Sequence, residues 1–309
     1  MCDEDTEADN EKYLITRRDL GLGAGAAFAT VLVGCRSATP TEQRAAPEAA
    51  TAPPDANASD ASAATPRGRM VTIATKDGTA DAFFVAPASG RHPGVIVWPD
   101  VAGLRDSFTT MATRLATEGY AVLAVNPYYR AAKHPVLSSF EEWRTPEGKA
   151  KIGPLREALT ADAIASDGAA FVAWLDRQAE VDTSRKIAST GYCMGGPFTL
   201  RTAAAAPDRV GLVGSFHGGG LVTDAPDSPH LLKTKAAALV CIAQNDDEKQ
   251  PAAKTTLQQT ADAAQLAAEI EVYPAQHGWC VTDSPVYDET QAERAWSRLL
   301  AMLAMHVQV

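Results

Sequence analysis

From about residue 70 onward, the chain alternates short apolar runs with longer amphipathic segments. The clearest apolar run is Gly94–Trp98, which has a proline on each side. A continuous apolar run of this length is typical of a strand that is buried on both faces. Similar runs recur at residues 120–125, 187–190, 210–216, 237–243 and 270–273. Strands that alternate with helices predict an α/β fold, in which a mostly parallel central sheet is flanked by helices on both faces.

The remaining segments complete this prediction. Val71–Thr75 and Ala82–Val85 flank Asp77-Gly78 and predict a hairpin ahead of the parallel strands. Apolar residues at helical spacing predict helices over residues 107–118, 158–178, 194–206, 252–267 and 286–305. Residues 69–309 have a suitable length for one large domain with a single core.

The N-terminal residues have the pattern of an export signal. Arg17 and Arg18 directly precede an apolar stretch, residues 20–34, that ends at Cys35. Twin arginines in this position resemble a twin-arginine signal, and the Leu-Val-Gly-Cys sequence ending at Cys35 resembles a lipobox, whose cysteine is lipidated. We therefore predict that residues 1–35 are an export signal and that the protein is periplasmic or anchored through Cys35 on the extracytoplasmic side. An uncleaved anchor or a buried helix is the alternative.

Composition separates the next segment from the predicted domain. Residues 36–68 are mostly Ala, Thr, Ser, Pro and acidic residues, which bury too little apolar surface to fold, so we predict a disordered tether. The formal net charge of the chain is −10, with no cluster of Lys and Arg. An acidic chain of this kind gains nothing from a phosphate backbone, which argues against a nucleic-acid partner.

Cys193 lies in the sequence Gly191-Tyr192-Cys193-Met194-Gly195-Gly196, directly after a predicted strand and before a predicted helix. This is the Gly-x-nucleophile-x-Gly pattern of a nucleophile elbow, with cysteine in place of serine. The glycines permit a tight turn, and the start of the helix favours a thiolate and a developing oxyanion. A buried structural cysteine in a glycine-rich turn is the alternative.

A cysteine nucleophile needs a base and an acid. In α/β-hydrolases the acid and then the histidine follow the nucleophile, each after a later strand. Asp246 follows the predicted strand 237–243, and His277 follows the strand 270–273. His277 would take the thiol proton, and the carboxylate would orient its ring. Asp246 is preferred because it is nearer the strand end, and Asp247 is the alternative.

Other candidate residues have structural interpretations as well as functional ones. His217-Gly218-Gly219-Gly220 resembles the oxyanion motif of lipases, but it follows the nucleophile, so we predict a structural turn. No His or Cys pair has the spacing of metal ligands, and neither a metal nor a cofactor is predicted.

The remaining cysteines and tryptophans each have a structural and a functional interpretation. Cys241 is predicted to be a core residue. Cys280 is either buried or a partner for Cys193 in a regulatory disulfide. Trp98 and Trp279 either line an apolar pocket or pack in the core.

Together, the elbow, the acid and the histidine resemble the dienelactone hydrolase family, the Cys-His-Asp branch of the α/β-hydrolases, over about residues 70–305. The resemblance implies that Cys193 is the nucleophile, His277 the general base and acid, and Asp246 the orienting acid. It also implies an oxyanion hole formed by the backbone N–H groups of Met194 and Val101. The implied activity is hydrolysis of a small-molecule ester or lactone through a thioester.

Two positions depart from the family pattern. Asp100 stands where the family has a glutamate that contacts the resting thiol, so it is a thiol switch, a substrate contact or a plain loop residue. The family binds a substrate carboxylate with two arginines; Arg130 matches the first, but Val281 replaces the second. These departures favour a changed substrate, and a non-catalytic ligand-binding lipoprotein is the alternative function. The oligomeric state is open, with a monomer favoured.

Overall fold

The computed structural model describes residues 8–14 and 65–308. The predicted twin arginines, Cys35 and nearly all of the predicted tether lie outside the described residues. The strands are β1 (Arg67–Thr75), β2 (Gly78–Ala86), β3 (Gly94–Trp98), β4 (Ala121–Val125), β5 (Ile187–Tyr192), β6 (Val210–Phe216), β7 (Ala237–Ala243) and β8 (Ala268–Tyr273).

The helices are α1 (residues 8–14), α2 (Asp106–Thr117), α3 (Phe140–Arg144), α4 (Pro146–Glu157), α5 (Ala161–Leu175), α6 (Gly196–Ala205), α7 (Gln244–Lys249), α8 (Ala253–Ala263) and α9 (Glu289–His306). Short 3₁₀ turns occur at Cys193–Gly195 and Pro229–Leu231. The predicted helix over residues 158–178 is shorter in the structure, and the sequence analysis missed α3, α4 and α7.

All eight strands belong to one sheet, in the order β1-β2-β4-β3-β5-β6-β7-β8. Strand β2 pairs antiparallel with β1 and with β4. The other six strands, β3 to β8, run parallel to one another. This arrangement confirms the predicted α/β fold with its mostly parallel sheet. The carboxyl ends of the parallel strands meet at one edge, so the residues that follow β3, β5, β6, β7 and β8 can come together there.

Successive side chains of β3 pack into different cores because strand residues alternate between the two faces of a sheet. Val95 and Val97 belong to a cluster that includes residues of α2 and α9. Ile96 and Trp98 belong to a second cluster, with residues of α5 and α6. Helices therefore cover both faces of the sheet, which explains why β3 is entirely apolar.

The described residues contain no single helix that is long and apolar enough to cross a membrane. The helices α4 and α5 meet the length and composition criteria only as a pair, and they are bent by 84° relative to each other.

Candidate active site

The chain between β5 and α6 forms a tight turn that presents Cys193. Its backbone has φ = 51°, a left-handed conformation that residues other than glycine rarely adopt. The flanking glycines are required by space: a Cβ on Gly191 would lie 2.1 Å from the carbonyl oxygen of Gly195, and one on Gly195 would lie 2.4 Å from that of Trp98. These are the features of a nucleophile elbow. The Cys193 side chain is buried in this turn, with 1% of the residue exposed.

Gly195→Ala is expected to destabilise the fold by about 1–3 kcal/mol, because the new methyl group would meet backbone rather than a movable side chain. It should also lower kcat, since the displaced carbonyl of Trp98 lies just before the loop that carries Val101. Gly214→Ala in β6 is the control, because its nearest neighbour is a Thr190 side-chain carbon at 3.2 Å. Urea unfolding and steady-state kinetics would measure both variants. Equal losses in the two would contradict the assignment of Gly195 to the elbow.

The loops after β7 and β8 bring Asp246 and His277 together. The Asp246 Oδ2 atom lies 2.7 Å from His277 Nδ1, and the His277 backbone N–H donates to the Asn245 side chain at 2.8 Å. His277 is buried, and Asp246 lies in the first turn of α7. Asp247, the alternative acid, instead forms an ion pair with Lys254 at 2.6 Å. The geometry therefore favours Asp246 as the partner of His277.

The electrostatic environment of His277 suits a residue that carries a proton. Burial alone would lower the pKa of His277, but the charge of Asp246 and the neighbouring Cys193 sulfur, with hydrogen bonds to both, raise it to about 10. An imidazolium at this position can stabilise a thiolate and can later protonate a leaving group. Cys193, His277 and Asp246 thus have mutual geometry and electrostatics that fit a nucleophile, a base and an acid.

The loop after β3 holds Val101 in a fixed orientation. The Asp100 carbonyl oxygen accepts a hydrogen bond from the Gly103 N–H at 3.0 Å, and the Tyr128 hydroxyl donates to the Val101 carbonyl at 2.8 Å. Because a peptide group is planar, fixing the Asp100 carbonyl also fixes the direction of the Val101 N–H. The Tyr128 hydroxyl also lies 3.4 Å from the sulfur of Met194. Tyr128 therefore links the two residues whose N–H groups were predicted to form the oxyanion hole.

Asp100 is part of a buried ion cluster that the sequence analysis missed. Its carboxylate forms a bidentate pair with Arg105, with distances of 2.7 and 2.9 Å. Arg105 also holds Asp283, from the loop after β8, through two bonds of 2.7 Å. Burial raises the pKa of Asp100, and the Arg105 charge opposes this effect. The cluster ties the loop that carries Val101 to the loop that carries His277.

The Arg130 side chain is also fully engaged, although it was predicted to contact substrate. Its guanidinium pairs with Asp77 at 2.7 Å and with Asp167 at 2.8 Å. A guanidinium that already holds two carboxylates is poorly suited to bind a third one from a substrate. At the position of the family's second arginine, Val281 is buried. Neither position supplies an uncommitted positive charge.

Helices α3 and α4 form an apolar wall beside the elbow. Their side chains Phe140, Trp143 and Ile152 belong to one cluster with Val101 and Cys193. The backbone N–H of Phe140 donates to Asp283 at 2.9 Å, which fixes the start of α3 to the ion cluster. The side chains of this wall that cluster with Cys193 are apolar, so they suit an apolar part of a substrate.

The two tryptophans considered as pocket residues pack in the core. Trp98 donates to Thr202 at 3.1 Å and lies between Phe171 and Phe198. Trp279 is fully buried and stacks on Tyr273 with a centroid distance of 5.3 Å.

Among the described residues, Cys193, Cys241 and Cys280 are buried and form no disulfide. Cys280 packs in the same apolar cluster as Cys241, whereas Cys193 belongs to another one. The structure therefore contains no Cys193–Cys280 disulfide.

His217 enters the site although it was predicted to be a structural turn. It directly follows β6, is buried, and its ring contacts the His277 ring edge-on with a centroid distance of 5.0 Å. The signal that could have found it is topological, since β5 and β6 are adjacent and end at the same edge. The histidine after β6 must then lie near the cysteine after β5.

Helix α1 lies against the loops that carry the acid and the histidine. The Asn10 side chain donates to the His277 carbonyl at 3.0 Å, and Asp9 pairs with Lys249 at 3.2 Å. This contact was not predicted, because residues 1–35 were considered only as an export signal. Within residues 8–14 and 65–308, no group of three or more His, Cys, Asp and Glu side chains is placed to hold a metal ion.

The comparisons with known proteins point to one family. The model of the dienelactone hydrolase family matches residues 80–307. A protein of Salmonella typhi, provisionally named carboxymethylenebutenolidase, is 27% identical over 250 residues, which cover 77% of this chain and 87% of the relative. A Synechocystis protein with the same provisional name is 28% identical over 237 residues, covering 74% of this chain and 93% of the relative.

A solved structure from Klebsiella pneumoniae, provisionally assigned as a dienelactone hydrolase, superposes with a TM-score of 0.67 at 24% sequence identity. The match covers 78% of this chain and 99% of that chain, and it establishes a common fold. Since the family model matches residues 80–307, which are most of the chain, the chain belongs to the dienelactone hydrolase family and is a hydrolase, and this family implies a small-molecule ester or lactone substrate.

Proposed function

We propose that the protein cleaves a carboxylic ester or lactone through a thioester on Cys193. The observation that carries this proposal is the 2.7 Å contact between Asp246 and His277, with the His277 ring beside the elbow cysteine. A thiol, an imidazole and a carboxylate in this order are the parts that thiol-based acyl transfer needs.

In the resting site the Cys193 thiol has passed its proton to His277, and in the first half of the reaction the thiolate sulfur attacks the carbonyl carbon. The carbonyl π electrons move to the oxygen, where the N–H groups of Val101 and Met194 stabilise the negative charge. When the carbonyl reforms, the carbon–oxygen bond to the leaving group breaks, and the leaving oxygen takes the proton from His277. The product of this step is a thioester on Cys193.

In the second half, a water molecule attacks the thioester carbon and gives its proton to His277. The tetrahedral intermediate then expels the sulfur, which regains the proton, and the carboxylic acid leaves. Thiolates displace poor leaving groups badly, so activated esters and enol lactones are the favoured substrate class.

Asp100 has a structural part in this mechanism. Its carboxylate is held by both terminal nitrogens of Arg105 and also accepts the Ala102 N–H at 2.9 Å. A carboxylate fixed in this way orders the loop that carries Val101. We therefore infer that Asp100 shapes the oxyanion hole and does not swing away from the thiol as a switch would.

The substrate is expected to be uncharged near the reacting carbonyl. The wall beside Cys193 is apolar, and both Arg105 and Arg130 are engaged by carboxylates. An anionic dienelactone would have to leave its carboxylate without a charged partner, which disfavours it relative to a neutral ester.

The direct test is to trap the thioester. The full-length protein is mixed with an activated aryl ester, quenched in acid within one turnover and digested for mass spectrometry. We expect the acyl mass on the peptide that contains Cys193, and we expect its loss in Cys193→Ala. A panel of neutral esters and an anionic dienelactone would rank the substrates by kcat/KM. Folded wild-type protein that forms no adduct and turns over no ester would favour the non-catalytic binding function.

We also propose that the protein is exported and anchored through Cys35. The support is the sequence pattern of Arg17, Arg18 and the lipobox. In a bacterial host with twin-arginine export, replacing both arginines with lysine is expected to retain the protein in the cytoplasm, and Cys35→Ala is expected to move it from the membrane fraction to a soluble fraction. Unchanged fractionation of both variants would contradict the proposal. The preference for a monomer stays a prediction.

A further inference from the structure

His217 is a buried histidine beside the nucleophile that the mechanism above does not use. Its backbone has φ = 42°, and the residue is 1% exposed. The backbone N–H donates to the Cys241 carbonyl at 2.8 Å, which fixes the start of the loop after β6. A left-handed backbone at a residue other than glycine costs free energy, and such strain is concentrated at functional sites.

Aromatic rings hold the His217 side chain in one orientation. His277 contacts it edge-on with centroids 5.0 Å apart, Trp279 does so at 5.2 Å, and Tyr192 lies at 6.1 Å. With respect to the described residues, neither ring nitrogen makes a hydrogen bond of normal length and angle. A buried N–H without a good acceptor is unfavourable, so the presence of a histidine at position 217 needs an explanation.

Cys193 follows β5, the strand next to β6, so its sulfur lies at the same edge of the sheet as His217 and acts on the charge of that ring. Burial lowers the pKa of His217, and the positive charge of His277 lowers it further. The Cys193 sulfur has the opposite effect and raises this pKa. The ring is therefore neutral and keeps one N–H. It does not compete with His277 for the thiol proton, because His277 has a raised pKa.

We propose that His217 is a positioning residue for the nucleophile, whose neutral ring directs an N–H at the Cys193 sulfur and holds the thiolate ready for attack. This inference rests on the proposed function in which Cys193 is the nucleophile. His217 neither takes nor gives a proton in it. As the sulfur bonds to the substrate carbon, the negative charge moves to the carbonyl oxygen and the contact with His217 weakens.

The test compares His217→Met with His217→Gln in the full-length protein. Both side chains are similar in length and bear the same left-handed backbone, but only glutamine can donate a hydrogen bond. We expect His217→Met to lower kcat for an activated ester by about 10- to 100-fold with little change in KM. His217→Gln should recover most of this loss. Equal impairment of the two variants would show a packing role only and would overturn the proposal.

A second readout does not depend on turnover. The rate of Cys193 alkylation by iodoacetamide is measured against pH in the same variants, with Cys241→Ala Cys280→Ala as the background. Groups that titrate near His217 are Cys193, Cys241, Tyr192, His277 and Asp246. We expect the pH midpoint of alkylation to rise by about one unit in His217→Met, and less in His217→Gln.

These readouts separate the two proposals. If the wild type hydrolyses no ester but His217→Met still shifts the alkylation midpoint, the His217 inference stands and the proposed function fails. An unshifted midpoint, with ester hydrolysis intact in His217→Met, would overturn the inference alone. If His217→Met does not fold, the isosteric pair His217→Asn and His217→Leu replaces the comparison, since asparagine can donate from the position of Nδ1 and leucine cannot. A rate and a midpoint close to those of the wild type in His217→Asn, with losses in His217→Leu, would then support the proposal, and equal values in the two variants would overturn it.

Discussion

Asp246→Asn is expected to lower kcat for ester hydrolysis by about 10²- to 10⁴-fold. The Asp246 carboxylate accepts from His277 Nδ1 at 2.7 Å and is one cause of the raised pKa of that ring. An amide can keep a hydrogen bond but supplies no charge, and it can hold the wrong tautomer. Steady-state kinetics on an activated ester would measure the loss.

The pH dependence gives a second readout of the same substitution. The raised pKa keeps His277 protonated up to about pH 10 in the wild type, so the alkaline limb of the activity should lie at high pH, where the imidazolium loses its proton. Removing the negative charge of Asp246 lowers the pKa of His277. The alkaline limb of the pH–rate profile should therefore move to lower pH in Asp246→Asn.

Asp247→Asn is the matched control for this prediction. It removes the same charge one residue along the chain, but Asp247 is paired with Lys254 and not with His277. We expect kcat within about threefold of the wild type, since an ion pair at this distance from the chemistry contributes little. If Asp247→Asn lost activity and Asp246→Asn kept it, the two aspartates would exchange roles.

Arg105→Met is expected to reduce the free energy of unfolding by about 3–5 kcal/mol, because it leaves buried carboxylates without their counter-charge. Asp100 is 1% exposed, and both terminal nitrogens of Arg105 contact it. Asp283 loses two bonds in the same variant. Urea unfolding at neutral pH would measure the change.

Arg298→Met is the control for Arg105, since Arg298 forms a similar bidentate pair with Glu269 but its side chain is 43% exposed. Exposed pairs are worth about 0–1 kcal/mol, so this variant should unfold close to the wild type. Comparable destabilisation in the two variants would mean that burial of the Arg105 cluster does not determine its contribution to the free energy of unfolding.

The sheet could be predicted from sequence because its inner strands are buried on both faces. The bounds of β3, β6 and β7 agree with the predicted runs, since each run is apolar and ends at polar or turn residues. The elbow was visible because its glycines and cysteine are contiguous. The acid and the histidine followed from the order of the later strands.

The parts that the sequence did not reveal depend on long-range contacts or on weak periodicity. Helix α4 has few apolar residues, although Thr145 caps it and Pro146 lies in its first turn. Arg105 and Asp283 are 178 positions apart, and no local pattern marks a pair of that kind. The local sequence around His217 resembles a lipase motif in the wrong place, and only the adjacent ends of β5 and β6 indicate its position beside Cys193.

The left-handed backbone at Cys193 has an evolutionary consequence. A side chain in that conformation costs about 1–2 kcal/mol, which glycine would recover. Selection for a stable fold alone would therefore replace this cysteine, and a lineage that stopped using the thiol would be free to lose it by drift. Under the proposed function, the cysteine at position 193 thus stands against the backbone preference of the fold because its thiol is used.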